Sequence, residues 1–333
     1  MNLLLRLPSA VAQLALLALA LSACGGQKLD AGSDLPHGVL PIDERNPVIL
    51  SNDGVGNWYG LYAVLFANSG GPELLGIAVN SSSYATSLSD NLDGWQTLVT
   101  AARASGLRGI PDPIASVGAP LTRPSTGDLD ATIANESDGA RLIVEASARS
   151  SAPDRPVVVV AGGRLTDVAD AYLMDHAVAD RVVVVAALGS NSATGGVMGA
   201  PNGELDPWAD WIVTQRFPYI QVSAFYDATS DLPSSELAAL PMNPLGTLVA
   251  AQAPDITNVP SQADQVSILA AGLPEFVASA ARATLDSAPP GSSVGPTLVP
   301  SVNGPHWLVT RIDPTVASAR LRQMLHDPKT FAE

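Results

Sequence analysis

Apolar and polar positions follow two periods along the chain, and these periods predict strands and helices in turn. Valine-rich runs at 155–161 and 181–187 are typical of strands buried on both faces. Segments with helical spacing, such as 88–104 and 140–148, lie among such apolar runs. Strands that alternate with helices indicate an α/β fold with a doubly wound, mainly parallel sheet in a single domain.

The pattern continues through the C-terminal half. Asp206 and Pro207 predict the start of a helix, because Asp caps a helix N-terminus and Pro suits the first helical position. Further elements are predicted as a strand at 219–223, helices at 245–251 and 265–283, a loop at 287–301, a strand at 307–312 and a closing helix at 313–325.

The first strand–turn–helix unit carries the first candidate for chemistry. An apolar run at 47–50 ends in Ser51-Asn52-Asp53-Gly54, and helical spacing follows at 59–66. Ligands of open α/β sheets bind at the carboxyl ends of the strands, where Asp53 could act on a substrate or hold a metal. An ordinary βα turn uses Asn, Asp and Gly in the same way to satisfy its backbone, so both interpretations remain open.

Composition narrows the class of partner. The chain has 333 residues, of which 47% are hydrophobic, so it can bury a large core. Its formal net charge of −15 argues against binding nucleic acid or an anionic membrane through charge. We therefore expect no nucleic acid among its partners.

The N-terminus has the layout of a secretory signal peptide, with Arg6 followed by an apolar run at 11–21. The next residues, Leu-Ser-Ala-Cys, resemble the bacterial lipoprotein box and end at Cys24, the single cysteine of the chain. This resemblance implies lipidation of Cys24 and attachment to a membrane. An ordinary secretory signal with a chance cysteine is the alternative.

The resulting domain prediction has three parts. Residues 1–23 are a lipoprotein signal peptide, 24–45 a lipidated flexible tether rich in Gly, Asp and Pro, and 46–333 the folded domain. The predicted location is the bacterial cell envelope. Gly25 stands where an inner-membrane retention Asp would be, so the resemblance implies the outer membrane.

Several segments match the motifs of one family in order. They are Leu74–Ile77, 110–118, 163–167 against G-P-L-T-N, 206–209 against D-P-x-A, and 241–245 against the stretch around a late H-D pair. From about Pro47 onward the chain resembles the inosine/uridine-preferring nucleoside hydrolases. The resemblance implies hydrolysis of an N-glycosidic bond, with calcium holding the attacking water and a carboxylate taking its proton.

The family's opening motif D-x-D-x-G-x-D-D falls on residues 51–58. Asp53 matches the general base, which is also a calcium ligand. Ser51 replaces the first Asp, Asn57 replaces an Asp that binds ribose hydroxyls, and Trp58 replaces the Asp that grips calcium with both oxygens. The resemblance thus implies a catalytic role for Asp53 and substrate binding by Asn57.

Three later positions complete the site that the resemblance implies. Thr166 matches the residue whose backbone carbonyl binds calcium. Asn202 matches the Asn of the family's E-F-N segment, whose Glu is replaced, and is expected to bind substrate. Asn243 stands at the Asp of the late H-D pair, so it is expected to bind substrate and to offer calcium a neutral oxygen.

The family's motifs place three carboxylates around calcium, whereas the matching positions of this sequence keep one, Asp53. Calcium takes about six to eight oxygen ligands with carboxylates supplying the charge, so Asp53, Thr166 and Asn243 predict weak calcium binding at best and no required cofactor. We therefore expect a lipid-anchored pseudoenzyme that binds a nucleoside or sugar with little or no hydrolysis. One alternative is a divergent N-glycosidase with Asp53 as general base, and another is a partner-binding lipoprotein with an unused pocket.

Overall fold

The computed structural model describes the folded part of the chain with gaps. The described residues are 40–54, 59–68, 71–82, 85–116, 119–187, 191–192, 201–223, 240–257, 264–272, 276–286, 295–313 and the single positions 315, 319, 323 and 326. They belong to one compact unit. Within them no helix is long and apolar enough to cross a bilayer. The signal peptide, most of the tether and most of the closing helix lie outside the described residues, and their bounds stay predictions.

Within the described ranges, ten strands form one sheet. They are β1 (Val48–Asn52), β2 (Leu74–Val79), β3 (Pro113–Ala115), β4 (Val157–Ala161), β5 (Val182–Ala187), β6 (Asn191–Ser192), β7 (Tyr219–Val222), β8 (Val277–Leu285), β9 (Thr297–Pro300) and β10 (His306–Ile312). Their order is β3-β2-β1-β4-β5-β7-β10-β8-β9-β6. All neighbours from β3 to β10 are parallel, whereas β8 is antiparallel to both β10 and β9.

Helices cover both faces of the sheet. They are α1 (Tyr59–Asn68), α2 (Leu88–Ala104), α3 (Asp138–Ser150), α4 (Thr166–Met174), α5 (Pro201–Glu204), α6 (Pro207–Arg216), α7 (Pro244–Thr257) and α8 (Asp264–Gly272), with a 3-10 helix at His176–Asp180. Residues from α1, α2, α7 and α8 pack in one core with alternate strand residues such as Leu50. Residues from α3, α4 and α6 pack in the other core with neighbours such as Ile49. The predicted doubly wound, mainly parallel sheet is confirmed.

Local sequence explains where several helices begin. The side chain of Ser87 accepts a hydrogen bond from the Asp90 amide at the start of α2, and that of Ser137 accepts one from Ala140 at the start of α3. Asp206 caps α6, with Pro207 at the first helical position, as the sequence predicts. Each cap satisfies an amide that has no partner within its helix.

The predicted helix at 265–283 is wrong beyond Gly272. The chain leaves α8 there and forms β8, which hydrogen-bonds to β10 on one side and β9 on the other. Strand β9 occupies 297–300 within the predicted loop at 287–301. Alanine-rich β8 has helical propensity, but hydrogen bonds to two neighbouring strands outweigh preferences of a few tenths of a kcal/mol per residue.

Candidate functional site

The sheet changes direction of winding between β1 and β4, and polar residues follow β1, β2 and β4 at this point. The Asn80 amide donates to the Asn52 carbonyl (2.8 Å), and the Gly162 amide donates to the Ser51 carbonyl (3.0 Å). These bonds hold the three turns side by side. Ligand sites of open α/β sheets lie at such switch points, so we call this place the cleft.

Gly163 allows the turns to approach closely. A Cβ atom at Gly163 would lie 3.0 Å from Asn80 Oδ1 and 3.2 Å from the Asp53 backbone nitrogen. Both separations are shorter than ordinary van der Waals contact, so any side chain here would push the β1 and β2 turns apart. A glycine at this position therefore keeps Asp53 and Asn80 together.

Asp53 is half-buried directly after β1. Burial raises the pKa of its carboxyl above the usual 3.8, although a hydrogen bond from Ser82, the Gly54 amide at 2.7 Å and the charge of Arg164 act in the opposite direction. A carboxylate with a raised pKa in a cleft is a candidate proton acceptor. The structure thus places Asp53 where the sequence predicts it.

Several buried polar atoms around Asp53 have no hydrogen-bond partner. They are Oδ1 and Nδ2 of Asn52, Oδ1 of Asn80 and Nε of Arg164. Leaving a buried polar atom unpaired costs about 1–3 kcal/mol, and native proteins keep few of them. Their concentration at the carboxyl ends of β1, β2 and β4 indicates where a ligand or ordered water binds.

A second carboxylate, Asp167, lies behind the cleft and is fully buried in the first turn of α4. It accepts hydrogen bonds from four side chains, which are Ser51 (3.0 Å), Asn80 (3.3 Å), Ser116 (2.5 Å) and Ser137 (3.3 Å). Burial raises its pKa, and these four donors lower it. Because Asn80 donates its Nδ2 to Asp167, its Oδ1 is turned away from Asp167, toward Gly163.

The irregular segment 119–137, here called the rim segment, is bound to helices α4 and α6 by two further carboxylates. Asp206 accepts from the Leu121 amide (2.9 Å) and from the Thr166 hydroxyl (2.7 Å). Asp170 accepts from the consecutive amides of residues 135–137 at 2.7, 3.1 and 2.8 Å. These carboxylates serve internal structure, and they fix the rim segment rather than face a ligand.

Two of the predicted site residues join Asp53 at this edge of the sheet. Thr166 is the first residue of α4. Asn202 is buried and donates its Nδ2 to the carbonyls of Gly162 (3.2 Å) and Ala187 (2.8 Å). It therefore braces the ends of β4 and β5 beside the cleft. Asn57 and Trp58 lie outside the described residues, and their predicted roles stay predictions.

Asn243 does not join them. Its Oδ1 accepts from the Gly246 amide (2.8 Å), which caps α7, and from the hydroxyl of Ser105 (3.1 Å). Ser105 is the C-cap of α2, a 17-residue helix that begins after the carboxyl end of β2. A helix of that length spans about 25 Å, so Asn243 lies at the opposite edge of the sheet from Asp53. The resemblance implies that Asn243 and Asp53 share one site, but the structure places them at opposite edges of the sheet.

The fold is similar to solved structures of nucleoside hydrolases. An inosine–guanosine nucleoside hydrolase superposes with a TM-score of 0.63 at 16% identity, covering 84% of this chain and 99% of its own. A plant nucleoside hydrolase gives 0.59 at 14%, covering 85% and 99%. The inosine–uridine preferring nucleoside hydrolase of Bacillus anthracis gives 0.57 at 13%, with the same coverage as the plant enzyme. The chain has the nucleoside-hydrolase fold. No family model and no curated protein sequence matches it.

The resemblance drawn from the sequence implies calcium, an ion that requires oxygen donors in the cleft. Within the described ranges no group of three or more His, Cys, Asp or Glu side chains could hold a metal ion. Asp53 is partly exposed at the end of β1, whereas Asp167, Asp170 and Asp206 are buried and accept internal hydrogen bonds. A tight calcium site needs about six to eight oxygens and compensating charge, and the described side chains at the ends of β1 and β2 offer it the carboxylate of Asp53 and the amide oxygens of Asn52 and Asn80.

Proposed function

We propose that this nucleoside-hydrolase fold binds a nucleoside or a related sugar in the cleft, with little or no hydrolysis. The unpartnered amide atoms of Asn52 and Asn80 beside Asp53 carry the proposal. Ribosyl hydroxyl groups donate and accept hydrogen bonds, so they complement both an amide oxygen and an amide nitrogen. The resemblance of the fold to nucleoside hydrolases supports the same ligand class.

The weak or absent hydrolysis follows from the same residues. Breaking a glycosidic bond needs an activated water and usually a second acidic group or a metal to stabilise the reacting atoms. Asp53 can accept a proton, but the described residues include no group of three or more His, Cys, Asp or Glu that could hold a metal ion, and the nearby Asp167 and Asp206 accept internal hydrogen bonds. Binding without efficient turnover is the function that this set of groups supports best.

Calorimetric titration of the purified full chain with inosine, uridine and ribose tests the proposal. We expect binding of at least one of these probes and a loss of tenfold or more in affinity for Asn52→Leu, since each lost hydrogen bond contributes about 0.5–1.5 kcal/mol. Asn303→Leu is the matched control, because Asn303 is exposed in the turn before β10, at the other edge of the sheet. Failure of all three probes to bind would overturn the proposal.

The second candidate function is that of a divergent N-glycosidase with Asp53 as general base. The raised pKa of Asp53 favours it. Release of free base from inosine or uridine, measured with and without added calcium, decides between the two. Turnover that disappears in Asp53→Asn would replace the pseudoenzyme proposal with this one.

We also propose that Cys24 carries a lipid that anchors the chain to the bacterial envelope, on the outer membrane. The lipoprotein-like residues before this single cysteine support it. Mass spectrometry of the mature protein should show a lipidated N-terminal cysteine, and Cys24→Ser should move the protein from the membrane fraction to the soluble fraction. A mature N-terminus elsewhere, or unchanged membrane association of Cys24→Ser, would contradict the anchor.

A further inference from the structure

Arg164 differs from the other arginines of the described residues. Six of those form ion pairs with acidic side chains, which are Arg45, Arg103, Arg141, Arg149, Arg181 and Arg216. Arg123 and Arg282 lie over tryptophan rings. Arg108, Arg155 and Arg311 are exposed to solvent. Arg164 is partly buried, its Nε is buried without a partner, and no described acidic side chain lies within ion-pair distance of it.

The position of Arg164 links it to the cleft. It follows Gly163, at which an added Cβ atom would lie 3.0 Å from Asn80 Oδ1 and 3.2 Å from the Asp53 backbone nitrogen. Its charge acts on Asp53 on one side of the β4–α4 turn and on Asp206 on the other. The chain is strongly acidic overall, with 32 Asp and Glu against 17 Lys and Arg. A partly desolvated cation left without a partner in such a protein is available to an external anion.

The backbone beside Arg164 favours the same kind of group. Helix α4 has nine residues, and its N-cap, Leu165, makes no side-chain cap, in contrast to the capped starts of α2, α3 and α6. Free amides and the dipole at a helix start favour negative charge. Asp167 offsets part of this dipole from within the first turn, so the arginine supplies the main attraction.

Asn80 gives an independent indication that a ligand reaches this turn. It is 98% buried, and its Oδ1 has no partner and lies against Gly163. An amide oxygen accepts hydrogen bonds, so it requires a donor such as a hydroxyl group. Asp53 beside it also favours donors. The site therefore offers a ligand hydrogen-bond acceptors at Asp53 and Asn80 and a cation at Arg164.

We propose that the ligand of the cleft is a polyhydroxylated molecule that carries an anionic group, a phosphate or a carboxylate, and that Arg164 binds this group. The inference rests on the ligand-binding function proposed above and specifies its ligand class. Arginine is suited to the role because its planar guanidinium can donate two parallel hydrogen bonds to a phosphate or carboxylate.

Two matched probe pairs test the inference by equilibrium titration of the full chain. Uridine and uridine 5′-monophosphate differ by a phosphate, and glucose and glucuronate differ by a carboxylate. In at least one pair we expect the anionic member to bind tenfold or more tighter, because hydrogen bonds to charged groups are about twice as strong as neutral ones. The pair that shows the preference identifies the anion.

Three variants assign the preference to the site. Arg164→Gln should bring the anionic probe to within about twofold of its neutral partner, and Arg164→Lys should keep part of the preference as a point charge. Arg155→Gln is the matched control, because Arg155 is exposed before the other end of β4 and the change removes the same charge. Melting temperatures of all three should stay close to that of the wild type.

Each contrary result has its own meaning. Suppose that the two members of each pair bind with equal affinity, and that the neutral probes lose affinity in Asn52→Leu. This result overturns the anionic ligand but leaves the proposed function standing. If Arg155→Gln weakens the preference for the anionic probe as much as Arg164→Gln does, the preference reflects net charge. That result also overturns the inference. If none of the four probes binds, the anionic ligand is overturned, whereas the proposed function is overturned only if inosine and ribose also fail to bind.

Discussion

The hydroxyl of Ser51 donates a 3.0 Å hydrogen bond to the carboxylate of Asp167 beneath the cleft, where both side chains are fully buried. This bond joins the end of β1 to the first turn of α4. Asn80 donates to the same two groups, to Ser51 at 3.4 Å and to Asp167 at 3.3 Å. The carboxyl group of this layer therefore belongs to helix α4, while β1 supplies the hydroxyl of Ser51, two residues before Asp53.

Moving the carboxyl group from position 167 to position 51 tests whether this layer needs one carboxyl group, whichever of the two positions carries it. Asp167→Asn should cost about 2–4 kcal/mol of unfolding free energy, because its amide cannot accept all four donors. Ser51→Asp alone should also destabilise, since it places two carboxylates in buried contact. The double variant Ser51→Asp/Asp167→Asn should recover at least half of the loss in urea unfolding. Strictly additive single effects would show that the two positions are not coupled.

Removing the charge of Asp53 should alter the pH dependence of stability. Burial raises its pKa in the folded protein above the usual 3.8, so the folded state binds the proton more readily than the unfolded state. Its contribution to stability is therefore largest below about pH 4 and is lost as the pH rises through the folded pKa. Asp53→Asn should be more stable than wild type at pH 7, with the difference vanishing in acid. Asp93→Asn, on the exposed face of α2, is the control and should leave the curve unchanged.

The rim segment should depend on Asp170. Asp170→Ala removes the acceptor of the three amides at 135–137, and we expect a loss of about 3 kcal/mol or more in unfolding free energy. Hydrogen exchange at these three amides should be faster in Asp170→Ala than in the wild type, whereas exchange in the core strands should change less. Asp154→Ala, at an exposed aspartate before β4, is the control. Unchanged exchange at 135–137 in Asp170→Ala would contradict the anchoring role.

His306 should make the protein sensitive to acid. Burial, with a contribution from the charge of Arg282, lowers its pKa from 6.5 to about 4. The unfolded state then binds the proton more readily, so this residue's contribution to stability is complete above pH 6.5 and is lost toward pH 4. His306→Phe keeps the edge contact of the ring with Tyr219 and removes the proton site. Between pH 7 and pH 4 wild type should lose more stability than the variant, by at most about 3 kcal/mol. Parallel curves would exclude the effect.

Prediction from the sequence succeeded where the signal is local. The valine runs of β4 and β5 stand out because strands buried on both faces need continuous apolar residues. Asp206 is recognisable as a cap because capping depends on adjacent residues. The position of Asp53 at the edge of the sheet followed from the order of strand, turn and helix.

Prediction failed where partners distant in the chain decide the outcome. The residues of β8 form a strand because β9 and β10 supply hydrogen bonds on both sides. Asn243 resembles a site residue locally, yet its contact with Ser105 places it at the far edge of the sheet. The role of Asp167 was equally invisible, because its four donors come from segments up to 116 residues away.

The sequence by itself determined the α/β class, the doubly wound sheet and the edge that carries Asp53, because hydrophobic period and turn chemistry act over a few residues. Only the tertiary structure decided which polar side chains meet there. The carboxylate of Asp167 accepts internal hydrogen bonds, whereas Oδ1 of Asn80 and Nε of Arg164 are buried without a hydrogen-bond partner. These differences arise from hydrogen bonds and burial between distant segments, which no local pattern encodes.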